Sequence, residues 1–158
     1  MFPELFLFNF YDKQIGQIMD QFQTLSLLNL SMIQNGIFTV GTFFILWVAF
    51  RIAGQVRGDQ GTLLAKVLTS ALGLFVVALG LQVFANRNYS LATAAKALTA
   101  LKAGGQALSI QAEAYLASPF GAVPAELQYS LFSNTSSVAW WGLVTVIFLG
   151  VVWMPVKK

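Results

Sequence analysis

Long runs without a formal charge constrain this chain more than any other feature of its sequence. Residues 21–50 form an uncharged run of 30 residues, and residues 67–86 form one of 20 residues. A helix needs about 20 apolar residues to cross a bilayer core of about 30 Å. The runs therefore predict membrane-spanning helices. The composition agrees, because 57% of residues are hydrophobic and only 9% are charged, too few to cover a water-exposed surface.

The sequence predicts an all-α, polytopic integral membrane protein with one membrane domain over residues 1–158. A glycine-rich segment with Arg57 and Asp59 is typical of a turn between the first two spans. Two serines open the third span, and Pro155 with two lysines closes it. The predicted spans are 31–51, 62–86 and 136–156, with the turn over 52–61.

Two further segments are predicted to be helical but are too polar to cross a membrane readily. Residues 1–30 combine an aromatic N-terminus with an amphipathic pattern, which fits an interfacial helix or the lower half of a longer first helix. The N-terminal residues have Glu4 and no basic segment ahead of their apolar residues, which disfavours a removable signal peptide. Residues 87–126 form an Ala-rich extramembrane or interfacial helix, which Gly104 and Gly105 divide, followed by a Pro/Gly loop.

The sequence has few side chains of the kinds that catalyse reactions or bind metals. The chain has no histidine and no cysteine, and the apolar cores of its predicted spans contain no Asp, Glu, Lys or Arg. These absences disfavour proton pumps, His-based nucleophilic triads and most metal sites. Lys66 and Ser70 have helical i, i+4 spacing, but a lysine that snorkels to the membrane surface explains Lys66 better than a Ser-Lys pair. Glu113 and Glu126 are interpreted as solvated carboxylates. We therefore expect no enzyme activity and no cofactor of the chain's own.

Small, aromatic and amide residues supply the candidate sites. Small residues let neighbouring helices approach closely, either within this chain or with a partner subunit. Aromatic residues near span ends are expected to anchor the protein at the membrane interface. Amides in or near the spans are expected to form interhelical hydrogen bonds or to contact lipid or a pigment held by neighbours. The packing candidates are Gly73, Gly80, Ala71, Ala78, Gly142 and Gly150; the anchors are Trp140, Trp141, Trp153, Phe6, Phe10 and Tyr11; and the amides are Gln34, Asn35 and Gln82.

The basic residues favour one orientation of the chain. Arg51, Arg57 and Lys66 flank the first turn, and the C-terminus carries two lysines. The excess of basic residues on cytoplasmic loops predicts that this turn and the C-terminus face the cytoplasm, in an inner or organellar membrane. The N-terminus and residues 90–126 are then expected on the other side.

These observations lead to two hypotheses about function. The first is a non-catalytic accessory subunit of a larger membrane complex of respiratory, photosynthetic, monooxygenase or secretion type, in contact with other membrane subunits and lipid. The alternative is a self-assembling pore, pilin-like or secretion-channel subunit, favoured by the polar residues Gln34, Asn35, Thr39 and Thr42 in the first span. No basic stripe is present that would follow a nucleic acid backbone, so a nucleic acid partner is not expected.

Overall fold

The structure is a computed structural model that describes residues 3–58, 61–121, 128–132 and 134–155, with side chains from Asp20 onward. The described residues form helices and no strand, which confirms the all-α prediction. Three helices are long and apolar enough to cross a membrane, as a multi-pass membrane protein requires. The elements are α1 (Pro3–Gly58), α2 (Leu63–Ala103), α3 (Ile110–Ala117), a 3₁₀ turn (Pro119–Gly121) and α4 (Thr135–Trp153).

The helices extend beyond the predicted span boundaries. α1 is continuous from Pro3 to Gly58, so it runs through the predicted first span without a break. The predicted turn over 52–61 is shorter than expected, because α1 continues through Gly54. A helical glycine costs only about 1 kcal/mol relative to alanine, and the neighbouring Ala53 is fully buried in the helix packing.

α2 also continues past its predicted end. The sequence places the end of the second span at residue 86, where Arg87 and Asn88 restore polarity, yet α2 runs on to Ala103. Polarity marks the edge of a membrane, whereas only a backbone breaker ends a helix. The breaker is the Gly104-Gly105 pair, as the sequence predicts. Gly105 has a φ of 81°, in the left-handed region that glycine tolerates best.

The chain divides into two compact units, where the sequence predicts a single membrane domain. The first unit comprises Met1–Ile33 and Asn88–Gln128, and the second comprises Gln34–Arg87 and Tyr129–Lys158. Each unit buries its own side chains, which is the physical basis of the division.

The second unit is a three-helix bundle. Phe43 stacks on Trp141 with ring centroids 6.1 Å apart, and Phe50 meets Phe148 edge-on at 5.2 Å. The two contacts are seven residues apart on both helices, so α4 runs parallel to α1. The buried core of this unit comprises Leu46, Ala49, Ala53, Val76, Trp141, Val144, Phe148 and Val152.

The first unit packs α3 and the preceding connection against α1 and α2. Gln21 of α1 is 6% exposed. Its amide nitrogen donates to the Ala107 carbonyl at 2.8 Å, and its amide oxygen accepts from the Ser109 backbone N–H at 2.9 Å. Ser109 then caps α3 by accepting from the Ala112 N–H at 3.2 Å. One buried amide thus fixes the connection between α2 and α3.

Candidate helix-packing and membrane-interface sites

Two glycines of α2 lie against the two buried aromatic side chains of α4. A Cβ atom added at Gly73 would overlap the Phe148 ring, and one added at Gly80 would overlap the Trp141 indole. Gly73 and Gly80 are seven residues apart, and so are Trp141 and Phe148. Because α2 and α4 are antiparallel, Gly73 lies level with Phe148 and Gly80 lies level with Trp141. The close approach that the sequence predicts at Gly73 and Gly80 is therefore made within this chain.

Trp141 is buried in the second unit, where the sequence predicts an interfacial anchor. Its side chain is 1% exposed, and its indole N–H is buried without a hydrogen-bond partner. An anchoring tryptophan places its N–H among lipid headgroups instead. The cause is geometric: adjacent residues on a helix point about 100° apart, so only one of Trp140 and Trp141 can face Gly80.

The remaining small residues lie outside the packing of the chain. Ala71 and Ala78 are exposed on the side of α2 away from Gly73 and Gly80. Gly142 is exposed, with nothing within 4 Å of an added Cβ, and Gly150 meets only the end of the Met154 side chain, at 3.6 Å. Ala71, Ala78 and Gly142 are therefore free to meet lipid or another helix, whereas Gly150 is half-buried.

Among the other predicted aromatic anchors, the structure describes the side chains of the two tryptophans. Trp140 is 50% exposed and Trp153 is 45% exposed, near opposite ends of α4, an arrangement typical of interfacial tryptophans. Phe6, Phe10 and Tyr11 lie outside the residues whose side chains the structure describes.

Cations lie over tryptophan rings near the α1–α2 connection. The Lys66 ammonium lies 5.9 Å from the centroid of the Trp153 ring, and the Arg51 guanidinium lies 5.9 Å from that of Trp47. The Trp153 indole N–H donates to the Ser70 hydroxyl at 3.0 Å, and that hydroxyl donates to the Lys66 carbonyl at 2.9 Å. Ser70 therefore positions a tryptophan, and Lys66 contacts its ring, as a snorkelling lysine can.

The polar residues of the first span do not form an exposed stripe. The Thr39 hydroxyl donates to the Asn35 carbonyl at 2.7 Å, and the buried Thr42 hydroxyl donates to the Phe38 carbonyl at 2.8 Å. Gln34 and Gln82 are exposed, whereas Asn35 is half-buried. Only isolated amides therefore face outward, near the ends of their apolar segments.

An open groove of about 300 Å³ lies within the first unit, between α1 and α2. A hydrogen bond of 2.7 Å from the Ser31 hydroxyl to the Ser90 hydroxyl joins its walls. Leu27, Leu28 and Ala94 contribute to an apolar lining that contains no charged side chain. The groove is at the lower limit of the volume of small-molecule sites, and the polar side chains in its lining are all hydroxyls.

Glu113 is the predicted carboxylate whose surroundings the structure describes. Glu113 accepts from the Lys102 ammonium at 2.8 Å, in an ion pair that is about half exposed on both sides. Glu126 lies outside the described residues. Within the described part of the chain, no group of three Asp or Glu residues is placed to hold a metal ion.

Tyr115 connects α3 to α2 through its hydroxyl group. Its hydroxyl donates to the Leu91 carbonyl of α2 at 2.8 Å. Partial burial raises the pKa of this phenol above its ordinary value, because the phenolate would lose hydration. The contact is therefore a structural tie whose strength depends on a neutral phenol.

The chain shows no significant similarity to any protein family model, any characterised protein or any solved structure.

Several important contacts are not evident from residue types alone. Phe148 is as deeply buried as Trp141. The equal seven-residue spacing of the two glycines and of the two aromatic residues is the sequence signal for the Gly73–Phe148 and Gly80–Trp141 contacts. Gln21 carries no comparable signal, because its sequence neighbourhood is rich in exposed polar residues.

Proposed function

We propose that this chain is a non-catalytic, multi-pass accessory subunit of a larger membrane protein complex. The observation that carries the proposal is how little of each apolar helix the chain covers itself. In the most apolar windows of α1, α2 and α4, only 22%, 28% and 28% of residues are buried inside the chain. The remaining faces require lipid or partner helices to cover them.

The distribution of small residues supports partner helices in addition to lipid. Gly73 and Gly80 are filled by this chain's own aromatics, whereas Ala71, Ala78 and Gly142 remain exposed. In lipid, helices associate largely through close packing at small residues, since the apolar faces gain little from leaving lipid. The exposed alanines of α2 are therefore the surface that we assign to a partner subunit.

The side-chain chemistry supports a structural role over catalysis. Glu113 pairs with Lys102, Lys66 lies over the Trp153 ring, and the Ser70 hydroxyl donates to a backbone carbonyl. The proposed membrane is an inner or organellar one, with the α1–α2 connection and the C-terminus in the cytoplasm, on the basis of the flanking cations.

The proposal is tested by purifying the tagged chain from its native membrane in mild detergent and identifying co-purifying subunits by mass spectrometry. We expect a defined set of membrane subunits at fixed stoichiometry. Ala71→Leu and Ala78→Leu should reduce their recovery, whereas Ala139→Leu, the same change at an exposed site on α4, should not.

Two results would contradict the proposal. A stable monomer that recovers no other subunit would exclude a permanent complex. Leakage of a dye from liposomes that contain only this chain would instead favour the self-assembling pore.

A further inference from the structure

We propose that the end of the second unit at the α1–α2 connection binds the phosphate group of an anionic phospholipid, with Arg57 and Lys66 as the principal ligands. This inference rests on the proposed membrane insertion of the unit. Arg51 and Arg57 are six residues apart, about 9 Å along α1, and Lys66 lies in the first turn of α2. Three cations therefore lie within about two helical turns of one connection.

These three cations have no acidic partner among the described residues. Arg51, Arg57 and Lys66 make no ion pair with a carboxylate of the described residues. Moreover, Arg57 Nε is buried and has no hydrogen-bond partner. A buried donor without an acceptor is costly, and the cost is greater when the group is charged. Arg57 as a whole is only half-buried, so an anionic oxygen at its guanidinium group would neutralise this charge.

The aromatic contacts hold two of the cations in place and leave their donors available. The Trp153 ring is oriented by its hydrogen bond to Ser70, and the Lys66 ammonium lies over its face. Arg51 lies over Trp47 in the same manner. A cation–π contact restricts the position of a cation but uses none of its N–H groups. The donors can therefore reach an oxygen ligand.

The position of the cations identifies the source of the phosphate as a lipid headgroup. Lys66 immediately precedes the uncharged run 67–86, and Arg51 immediately follows the uncharged run 21–50. Cations at the ends of apolar spans lie at headgroup level. The exposed side chain of Leu63 lies three residues before Lys66 on the same face of α2 and offers an apolar surface to acyl chains. A free phosphate ion would not use that surface.

The test uses the full chain in neutral detergent, with phosphatidylglycerol, phosphatidylcholine and inorganic phosphate as probes and lipid adducts counted by native mass spectrometry. We expect saturable binding of phosphatidylglycerol only. Arg57→Gln and Lys66→Gln should each weaken it about fivefold, the change that corresponds to about 1 kcal/mol per basic residue near an anionic surface. Lys96→Gln, the same charge change at an exposed site of the first unit, and Lys66→Arg should bind like the unaltered chain.

Three results would overturn the proposal: equal binding of phosphatidylcholine, equal weakening by Lys96→Gln, or displacement of the lipid by millimolar inorganic phosphate. If Arg57→Gln loses helical circular dichroism, Lys66→Gln decides the test by itself. Because the chain is studied alone, failure here leaves the co-purification result unaffected, and a failed co-purification leaves the lipid result interpretable.

Discussion

At the scale of single residues, the methyl group that distinguishes alanine from glycine decides how closely α2 and α4 approach. Gly80→Ala would place a methyl group inside the Trp141 indole, so either the ring or the helix must move. Overpacking of this kind costs about 1–3 kcal/mol, more than the roughly 1 kcal/mol that alanine contributes to helix stability. We expect a lower thermal midpoint in detergent, measured by circular dichroism.

Gly142→Ala is the matched control, because an added methyl group there meets nothing within 4 Å. It should leave the midpoint unchanged or raise it. Combining Gly80→Ala with Trp141→Leu should recover part of the loss, since the smaller side chain leaves room for the methyl group. If Gly80→Ala is as stable as Gly142→Ala, the packing described for α2 and α4 is wrong.

At the scale of elements, α3 shows how a short helix depends on its neighbours. It has only 8 residues, and isolated helices shorter than about 12 residues are marginal in water. Three contacts hold it: the Ser109 cap, the Lys102–Glu113 ion pair and the hydrogen bond from Tyr115 to Leu91. The last of these is sensitive to pH.

The raised pKa of Tyr115 predicts that α3 detaches from α2 in alkali. A phenol whose pKa is higher in the folded chain than the ordinary value of about 10 stabilises the fold fully below that value. This stabilisation is lost as the pH rises through the higher, folded-state pKa. The difference in absorbance at 295 nm between the unaltered chain and Tyr115→Phe reports ionisation of this phenol and should rise above pH 10. Over the same pH range, proteolysis at α3 should become faster in the unaltered chain. If the rate of proteolysis rises with pH by the same factor in the unaltered chain and in Tyr115→Phe, the prediction is contradicted.

The elements also show how much the sequence could predict. The apolar spans and the break at Gly104-Gly105 follow from hydropathy and backbone freedom, and both are present in the structure. The continuation of α2 past Arg87 could not be read from charge, because charge marks solvent and not the end of a helix. The burial of Trp141 required the register of α4 against α2, which depends on contacts between residues far apart in sequence.

At the scale of the whole molecule, the outer faces of three long helices carry most of the apolar side chains. The exposed ones include Phe38, Phe44, Trp47, Leu68 and Val146. Water would penalise such a surface, whereas lipid and partner helices both accept it. Whether α2 crosses a bilayer is therefore the question on which both proposals depend.

The absence of cysteine makes this question directly testable, because each introduced cysteine is the only thiol in the chain. Thr62→Cys lies in the α1–α2 connection, Gln111→Cys is exposed on α3, and Val146→Cys is exposed on α4. In sealed membrane vesicles, an impermeant maleimide should label Thr62→Cys from the cytoplasmic side only and Gln111→Cys from the opposite side only. Val146→Cys, the control for burial in lipid, should react only after detergent is added. Labelling of Thr62→Cys and Gln111→Cys from one side would show that α2 does not cross the membrane, whereas labelling from exchanged sides would keep the spans and reverse the orientation.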